Sequence, residues 1–225
     1  MANDAAKKLA GEHAATYVED GMMVGLGTGS TAFFAIQALG ERVANGLNIQ
    51  GVATSKDTEV LAQKLHIPLL ALEDVPYLDM ALDGADEVDE QGQLIKGGGG
   101  ALLREKLVAS AAKKFIVIVD ASKEVKQLGA FPLPVEIVPF AWEKTAQKIA
   151  DLDCHPVQRQ RAGKPFITDN GNYIVDCHCE KIEHPAELHQ QLKLLTGVVE
   201  TGLFIDMASV CVTSDGQTTR VRDFA

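Results

Sequence analysis

Short runs of apolar residues alternate along the first 130 residues with stretches whose apolar positions recur at helical spacing. The pattern predicts strands at residues 22–26, 49–54, 68–72, 78–82 and 115–119. It predicts helices at residues 3–20, 32–41, 58–65 and 101–113. Strands that alternate with helices in this way favour a parallel sheet with helices on both faces. We therefore predict an α/β fold with an open, Rossmann-like, mostly parallel sheet.

The pattern changes at residues 131–134, where two prolines interrupt both helical and strand periodicity. Helices are predicted at 142–152 and 185–195, and an Asp-Asn-Gly-Asn turn predicts a hairpin with arms at 166–168 and 173–179. A second hairpin, at 208–221, is expected to rejoin the first sheet. The predicted domains are a Rossmann-like domain of residues 1–130 and 206–225 and a small α+β, ferredoxin-like domain of residues 131–205.

Composition and charge narrow the class of partner. The chain has 225 residues, of which 46% are hydrophobic and 23% charged, which is typical of a globular protein with a real core. Its net charge of −10 disfavours nucleic acid as a partner. No apolar run is long enough to span a bilayer, so no membrane partner is expected. Four cysteines without a disulfide-like spacing favour a reducing, cytoplasmic location.

Polar loops follow several predicted strands, and ligands bind at that edge of a parallel sheet. The segment 25–31 reads Gly-Leu-Gly-Thr-Gly-Ser-Thr and opens a predicted helix. Its amides and the hydroxyls of Thr28, Ser30 and Thr31 suit a phosphate. The glycine spacing and the lack of a following acid disfavour a dinucleotide. A plain strand–helix turn with a helix cap remains the alternative.

Two further segments carry candidate chemistry. Asp83 and Asp86 straddle a turn at a strand end, where they suit sugar hydroxyls or acid–base work, although ordinary turn aspartates look the same. Lys96 precedes four consecutive glycines, and Glu105 lies early in the helix that follows. Such glycines let backbone amides approach a developing oxyanion. A flexible linker with Glu105 in surface ion pairs is the alternative.

Other groups are weaker candidates. Lys123 follows the 115–119 strand and Lys7 lies on the first helix, so either could balance a phosphate, although surface lysines are commonly solvated. Cys177 and Cys179 fall on the apolar face of their strand, where cysteine packs as a small hydrophobe. Because no C-x2-C pair accompanies them, we predict no metal site.

Several segments together resemble the ribose-5-phosphate isomerase type A family. They are Gly-Thr-Gly-Ser-Thr-Ala at 27–32, Asp-Gly-Ala-Asp-Glu at 83–87, Lys-Gly-Gly-Gly-Gly-Ala-Leu-Leu-Arg-Glu-Lys at 96–106, Asp-Ala-Ser-Lys at 120–123, Phe-Pro-Leu-Pro-Val-Glu at 131–136 and Thr-Asp-Asn-Gly-Asn at 168–172. The resemblance implies a cofactor-free enzyme of the pentose phosphate pathway that interconverts ribose 5-phosphate and ribulose 5-phosphate as a homodimer or a dimer of dimers.

The resemblance also implies the roles of the candidate residues. Glu105 is the expected proton acceptor, with Asp83, Lys96 and Asp86 as further catalytic residues. The expected substrate contacts are Thr28, Gly29, Ser30, Thr31, Asp83, Gly84, Ala85, Asp86, Lys96, Gly97, Gly98, Gly99, Lys123 and Lys7. The mechanism expected is proton transfer between C2 and C1 through an enediolate.

Three other classes stay open on the residues alone. An amino-sugar phosphate deaminase or a coenzyme A transferase with a glutamate nucleophile could use a related fold. A sugar-phosphate sensor would bind without turnover, but it would normally carry a helix-turn-helix, for which the sequence before residue 22 leaves little room. A metal-dependent hydride shift would need a cluster of acidic and histidine ligands, and none stands out.

Overall fold

The computed structural model describes residues 2–224, with side chains from residue 4 onward. The α-helices of this range are α1 (Ala2–Ala15), α2 (Ser30–Ala44), α3 (Lys56–Lys64), α4 (Leu102–Ala111), α5 (Trp142–Ala150) and α6 (Pro185–Lys193). Its strands are β1 (Met23–Leu26), β2 (Gln50–Ala53), β3 (Met80–Gly84), β4 (Glu87–Val88), β5 (Leu94–Ile95), β6 (Phe115–Asp120), β7 (Leu133–Ile137), β8 (His155–Gln158), β9 (Gln160–Arg161), β10 (Lys164–Pro165), β11 (Tyr173–His178), β12 (Val198–Thr201), β13 (Leu203–Phe204), β14 (Val210–Ser214) and β15 (Thr219–Asp223). Two short 3-10 helices cover Leu72–Asp74 and Ala121–Lys123.

Within the described range, the first compact unit comprises residues 2–85, 104–124 and 207–224. Its six-stranded sheet has the order β15-β14-β6-β3-β1-β2, and every neighbouring pair is parallel except β14 with β15. All six residues of β6 are buried, as expected for a strand covered on both faces. The prediction of a mostly parallel α/β sheet is confirmed, and so is the return of the C-terminal hairpin to it.

Apolar side chains from helices and strands form the core of the first unit. Fully or nearly fully buried residues of α1 and α2 pack with residues of β1, β3, β6 and β14. Gly25 of β1 permits close packing at this point, because a Cβ there would lie 2.5 Å from Cγ1 of Val108 on α4. The core therefore fixes the carboxyl ends of the parallel strands, after which the polar loops follow.

The second compact unit comprises residues 86–103 and 125–206. Four of its strands follow the chain order β7-α5-β8-β11-α6-β12 and form a sheet in the order β12-β7-β11-β8, which is a ferredoxin-like arrangement. A small sheet of β13, β5 and β4 adds to it. Segments 86–103 and 125–130, which were predicted to belong to the first domain, lie in this unit instead. There β5 pairs with β13, and the N–H of Val125 donates to Val88 O at 2.9 Å.

Two predicted strands differ in the structure. Residues 68–72 make only an isolated bridge between Leu69 and Gly51, because Pro68 has no N–H to donate and a 3-10 helix begins at Leu72. The first arm of the predicted hairpin, 166–168, is not a strand either. Thr168 N–H donates to Asn172 O across the turn, but β11 pairs with β7 and β8 instead.

Among the residues that the structure describes, no helix is both long enough and apolar enough to cross a membrane.

Candidate active site

The turn after β1 is held by a chain of hydroxyl groups. The Thr28 hydroxyl donates to Oγ of Ser55 at 2.8 Å, Ser55 donates to Oγ1 of Thr58 at 3.0 Å, and Thr58 donates to the carbonyl of Gly27 at 2.8 Å. Oγ1 of Thr54 lies 2.7 Å from that of Thr28. The Thr28 hydroxyl, predicted as a phosphate donor, is thus part of a network that fixes the turn.

The same turn leads into the N-terminus of α2. Gly29 caps this helix with φ of 106°, a conformation that favours glycine, and no atom lies within 4 Å of where its Cβ would be. Ser30 and Thr31 occupy the first two helical positions, and both are at least partly exposed. Backbone N–H groups and the helix dipole at such a terminus favour an anion.

Asp83 at the end of β3 joins this turn. The side chain of Asp83 is 3% exposed, and its Oδ1 accepts hydrogen bonds from the backbone N–H of Thr28 at 3.0 Å and of Gly84 at 2.7 Å. A Cβ added at Gly84 would be in ordinary contact with Cβ of Thr31, at 3.7 Å. The structure therefore brings together the 28–31 and 83–84 segments, as the sequence analysis expected for neighbouring strand ends.

Glu105 also belongs to the first unit. It lies in the first turn of α4, and it is only 5% exposed. A carboxylate at this depth is costly to bury unless polar groups surround it. The alternative of a solvated surface ion pair is therefore not what the structure shows.

The two candidate lysines lie on other elements of this unit. Lys7 is half-buried on α1, and Lys123 is half-buried at the end of the 3-10 helix that follows β6. That short helix is capped by Asp120, whose Oδ1 accepts from the backbone N–H of Ser122 at 3.1 Å.

In the second unit, Asp86 organises the glycine segment. Oδ2 of Asp86 accepts from the backbone N–H of Gly98 at 2.7 Å, and a Cβ on Gly98 would lie 2.6 Å from Oδ1. Gly97 has φ of 102°, and its carbonyl accepts from the N–H of Gly100 at 2.9 Å. The tight turn over 97–100 thus requires glycine for its backbone conformation and for the close approach of a carboxylate.

An arginine that the sequence analysis missed supports the same segment. Nη1 of Arg159 donates to the carbonyls of Gly97 at 2.8 Å and Gly98 at 3.2 Å. The guanidinium is itself held by Asp176, with Nε at 2.9 Å from Oδ2 and Nη2 at 2.5 Å from Oδ1. No motif marks Arg159, because its contacts are made 61 and 62 residues away along the chain.

Lys96 is the most deeply buried cation of the candidate set. It is 2% exposed, its backbone N–H donates to Gly202 O at 2.9 Å, and its Nζ lies 5.5 Å from the centre of the Phe204 ring. A Cβ on Gly202 would lie 2.3 Å from the Lys96 carbonyl, so this pairing requires glycine there. The small β13–β5–β4 sheet therefore fixes Lys96 at the start of the glycine segment.

Among residues 2–224, the structure shows no group of three or more histidine, cysteine or acidic side chains arranged to hold a metal ion.

Residues 50–218 match the model of the family described as Ribose 5-phosphate isomerase A (phosphoriboisomerase A). Ribose-5-phosphate isomerase A of Bacillus mycoides is 56% identical over 92% of this chain and 94% of its own, and that of Bacillus thuringiensis is 60% identical over the same shares. The solved ribose 5-phosphate isomerase of Plasmodium falciparum is 40% identical, covers 98% of both chains and has a TM-score of 0.94.

A second solved relative, D-ribose-5-phosphate isomerase in complex with phospho-erythronic acid, is 37% identical, covers 96% of this chain and 97% of its own, and has a TM-score of 0.93. The similarity in sequence and in fold extends over both compact units. The chain therefore belongs to the ribose 5-phosphate isomerase A family.

Proposed function

We propose that this protein is an aldose–ketose isomerase that interconverts D-ribose 5-phosphate and D-ribulose 5-phosphate, a step of the pentose phosphate pathway, without a cofactor. The reaction removes a proton beside a carbonyl and returns it to the adjacent carbon, so it requires a carboxylate base and donors for the oxygen of an enediolate. Membership of the family supports the reaction, and the following side chains support the mechanism.

The observation that carries the mechanism is the buried carboxylate of Glu105 in the first turn of α4. In the open-chain aldose, Glu105 removes the proton from C2 and the carbonyl oxygen on C1 becomes the enediolate oxygen. Glu105 then delivers a proton to C1, after partial exchange with solvent, and the carbonyl forms at C2. Because one carboxylate serves both half-reactions, no second base is needed for carbon.

Lys96 and the glycine segment that follows it receive the negative charge of the enediolate in this proposal. Lys96 is fixed by β5 and β13, so little reorganisation is needed as charge develops. Asp83 moves hydroxyl protons and assists opening of the furanose ring. Asp86, which already orders Gly98, accepts a sugar hydroxyl.

The turn of Thr28 to Thr31 holds the phosphate through backbone N–H groups at the start of α2. Lys123 and Lys7 supply positive charge. Gly84 and Ala85 line the sugar next to Asp83. Binding energy from the phosphate then orients the reacting carbons without taking part in the chemistry.

The decisive experiment compares Glu105→Gln with the native protein in an assay that follows ribulose 5-phosphate formation in the presence of a chelator. We expect kcat to fall by about a thousandfold or more, with KM little changed, since a general base contributes ~10²–10⁴-fold. Glu59→Gln is the matched control, because Glu59 also lies in the first turn of a helix, α3, and should leave kcat unchanged.

Three further measurements separate this function from its rivals. Turnover in heavy water should place solvent deuterium on C1 or C2, whereas a complete absence of deuterium would indicate a hydride shift. Ammonia release from an amino-sugar phosphate, or acyl transfer to coenzyme A, would indicate a different enzyme. Binding of ribose 5-phosphate without any turnover would indicate a sensor.

We also propose that the enzyme acts in the cytoplasm as a homodimer. Light scattering should then give twice the mass of one chain, and a mass equal to one chain would contradict the dimer.

A further inference from the structure

Three of the four cysteines meet at one end of the ferredoxin-like sheet, and none of them is a residue assigned above to the reaction. Cys177 lies in β11, Cys179 follows the end of β11, and Cys154 precedes the start of β8. The thiol of Cys179 donates to Sγ of Cys154 across a distance of 3.2 Å. All three belong to the second unit, so their arrangement is set within one compact body.

The register of β8 against β11 explains why two of these thiols touch. The antiparallel pairs include Cys177 with Pro156 and His178 with His155. Continued one residue past its last pair, this register puts Cys179 opposite Cys154, in agreement with the 3.2 Å contact of their sulfurs. Their contact is therefore a consequence of strand pairing rather than of a chance side-chain rotamer.

The kind of cross-strand pair that Cys154 and Cys179 would form also suits a disulfide bond between them. The N–H of Arg159 donates to Ile174 O, which makes that pair hydrogen-bonded. Because the two kinds of pair alternate, the continued register makes Cys154 and Cys179 a non-hydrogen-bonded pair, a kind whose Cα atoms are typically about 4.5 Å apart. Disulfides span Cα separations of about 4.4–6.8 Å, so bond formation requires only a small rotation of the two side chains.

The surroundings favour a reactive sulfur on Cys154. Hydrogen bonds from the thiols of Cys177 and Cys179, with a smaller contribution from His155, hold the pKa of Cys154 well below its ordinary range. The same contacts, together with burial, raise the pKa of Cys177 and of Cys179. Of the three thiols, Cys154 is therefore the one whose thiolate the hydrogen bonds of the cluster favour.

A cavity gives small reagents a route to the pair. It has a volume of about 350 Å³, and both Cys154 and Cys179 line it, together with charged groups that include Asp153, Lys181 and Glu183. Cys154 is only 2% exposed, whereas Cys179 is partly exposed. A small peroxide fits such a cavity, whereas a folded protein partner would not reach Cys154.

We propose that Cys154 and Cys179 form an oxidation site, at which a small hydroperoxide such as hydrogen peroxide converts the two thiols into a disulfide. The thiolate of Cys154 attacks one peroxide oxygen and the O–O bond breaks, which leaves a sulfenic acid on Cys154 and, after protonation, one water. The sulfur of Cys179 then attacks Sγ of Cys154, and the sulfenic oxygen leaves as a second water. One peroxide and two thiols thus give one disulfide and two waters.

The second step becomes easier because of the first. The largest cause of the raised pKa of Cys179 is its donation to the Cys154 thiolate, and oxidation of Cys154 removes that thiolate. Cys179 is then free to lose its proton while it stays opposite the electrophilic sulfur. Cys177 lies on the diagonal of the same strand pair from Cys154, whereas the register puts Cys179 directly across from it.

The test uses the full-length protein, treated with hydrogen peroxide, alkylated and mapped by mass spectrometry. We expect two of the four thiols to remain, one linked peptide pair that joins Cys154 to Cys179, and recovery of all four thiols with dithiothreitol. Cys211→Ser is the matched control, because Cys211 is buried in the first unit and its loss should leave the bond unchanged.

Two cysteine variants test the order of the two oxidation steps, whereas the mapping of the disulfide uses the native protein. Cys179→Ser should allow Cys154 to be trapped as a sulfenic acid by dimedone, and Cys154→Ser should leave the remaining three thiols reduced. In the native protein, Cys154 should be alkylated by iodoacetamide at pH 6 faster than Cys211. Four thiols after peroxide treatment, a bond that fragmentation of the linked peptide assigns to Cys177 rather than to Cys179, or equal alkylation of Cys154 and Cys211 would each overturn the proposal.

Discussion

Replacing Arg159 by alanine tests whether the glycine segment must be held in place for turnover. The guanidinium donates to the carbonyls of Gly97 and Gly98 and is itself held by Asp176. Arg159→Ala therefore removes two hydrogen bonds from the turn that follows Lys96, without altering any residue proposed to touch the substrate. Arg159 is in this sense a positioning residue.

The expected loss of stability follows from the burial of the ion pair. The side chains of Arg159 and Asp176 are 15% and 23% exposed, which places the pair between the buried and the exposed limits. Breaking a buried pair costs about 3–5 kcal/mol, and an exposed pair contributes about 0–1 kcal/mol. We expect Arg159→Ala to lower the free energy of unfolding by about 2 kcal/mol, because Asp176 keeps partial access to water.

The expected loss of activity is smaller than that of a catalytic residue. Removal of one donor from an oxyanion site lowers kcat by about 10²–10³-fold. Arg159→Ala leaves the donors present and only loosens the backbone that carries them, so we expect kcat to fall about tenfold, which corresponds to ~1.4 kcal/mol. KM for ribose 5-phosphate should change little, because the turn proposed to hold the phosphate is residues 28–31 of the first unit.

The assay measures kcat and KM with ribose 5-phosphate at a temperature where urea unfolding shows the variant to be fully folded. Arg161→Ala is the matched control: Arg161 is an exposed arginine close in sequence whose guanidinium carbon lies 4.9 Å from the centre of the Phe166 ring. Arg159→Lys should recover charge but not the paired geometry, so its kcat should lie between those of the native protein and Arg159→Ala.

A folded Arg159→Ala protein with native kcat would refute the positioning role. If Arg161→Ala lowers kcat as much as Arg159→Ala, the effect is a general loss of local packing and the reasoning also fails. Failure of the proposed reaction is a different result, because the native protein would then show no turnover in the same assay.

Two further substitutions probe the first unit. In Gly27→Ala the new Cβ would lie 2.2 Å from Oδ1 of Asp83. We therefore expect urea unfolding to show a free energy of unfolding lower by ~1–3 kcal/mol, together with a lower kcat. A variant with the stability and kcat of the native protein would contradict the close approach. A hydrogen bond from the N–H of Met23 and, to a smaller extent, one from Lys113 lower the pKa of Asp79 in the folded protein. The ionised carboxylate therefore stabilises the fold at any pH above the unfolded-state pKa of about 3.9. This stabilisation is lost as the pH falls through the lower pKa of the folded state. Asp79→Asn should therefore be less stable than the native protein at pH 7, with a difference that shrinks below about pH 4 and an unchanged kcat; a difference independent of pH would contradict this account.

The main sheet could be predicted from the sequence because its strands are long enough to carry a pattern. The six residues of β6 are uniformly apolar until Asp120, and a strand with both faces covered has this composition. Two-residue strands such as Leu94–Ile95 carry no periodicity, so the small sheet that fixes Lys96 could not be predicted. Residues 68–72 had a strand-like composition, but a proline and an edge position limited them to one bridge.

The candidate site was predictable where its chemistry lies in contiguous loops. Glycines followed by hydroxyl residues mark the start of α2, and the four glycines mark the turn after Lys96. Arg159 and the hydroxyl network around Thr28 were not predictable, because they depend on which loops meet in three dimensions. A serine or an arginine in an unremarkable segment gives no signal until the strands are placed.

The two aspartates of the 83–86 turn act alike on two different glycine loops. Oδ1 of Asp83 accepts the N–H of Thr28 in the first unit, and Oδ2 of Asp86 accepts the N–H of Gly98 in the second. In each case the loop glycine leaves no room for a Cβ beside the carboxylate: the separations would be 2.2 Å for Gly27 and 2.6 Å for Gly98.

The spacing of three residues between the two aspartates follows the division of the chain into its two units. Unit one ends at residue 85 on this pass of the chain and unit two begins at residue 86. A single turn therefore gives each unit one carboxylate that orders its own glycine loop. A carboxylate that accepts backbone N–H groups is held in one orientation, which suits the contacts with sugar hydroxyls proposed above for this pair. The ordering of a glycine loop by each aspartate is thus compatible with the roles proposed above for Asp83 and Asp86 toward the sugar hydroxyls.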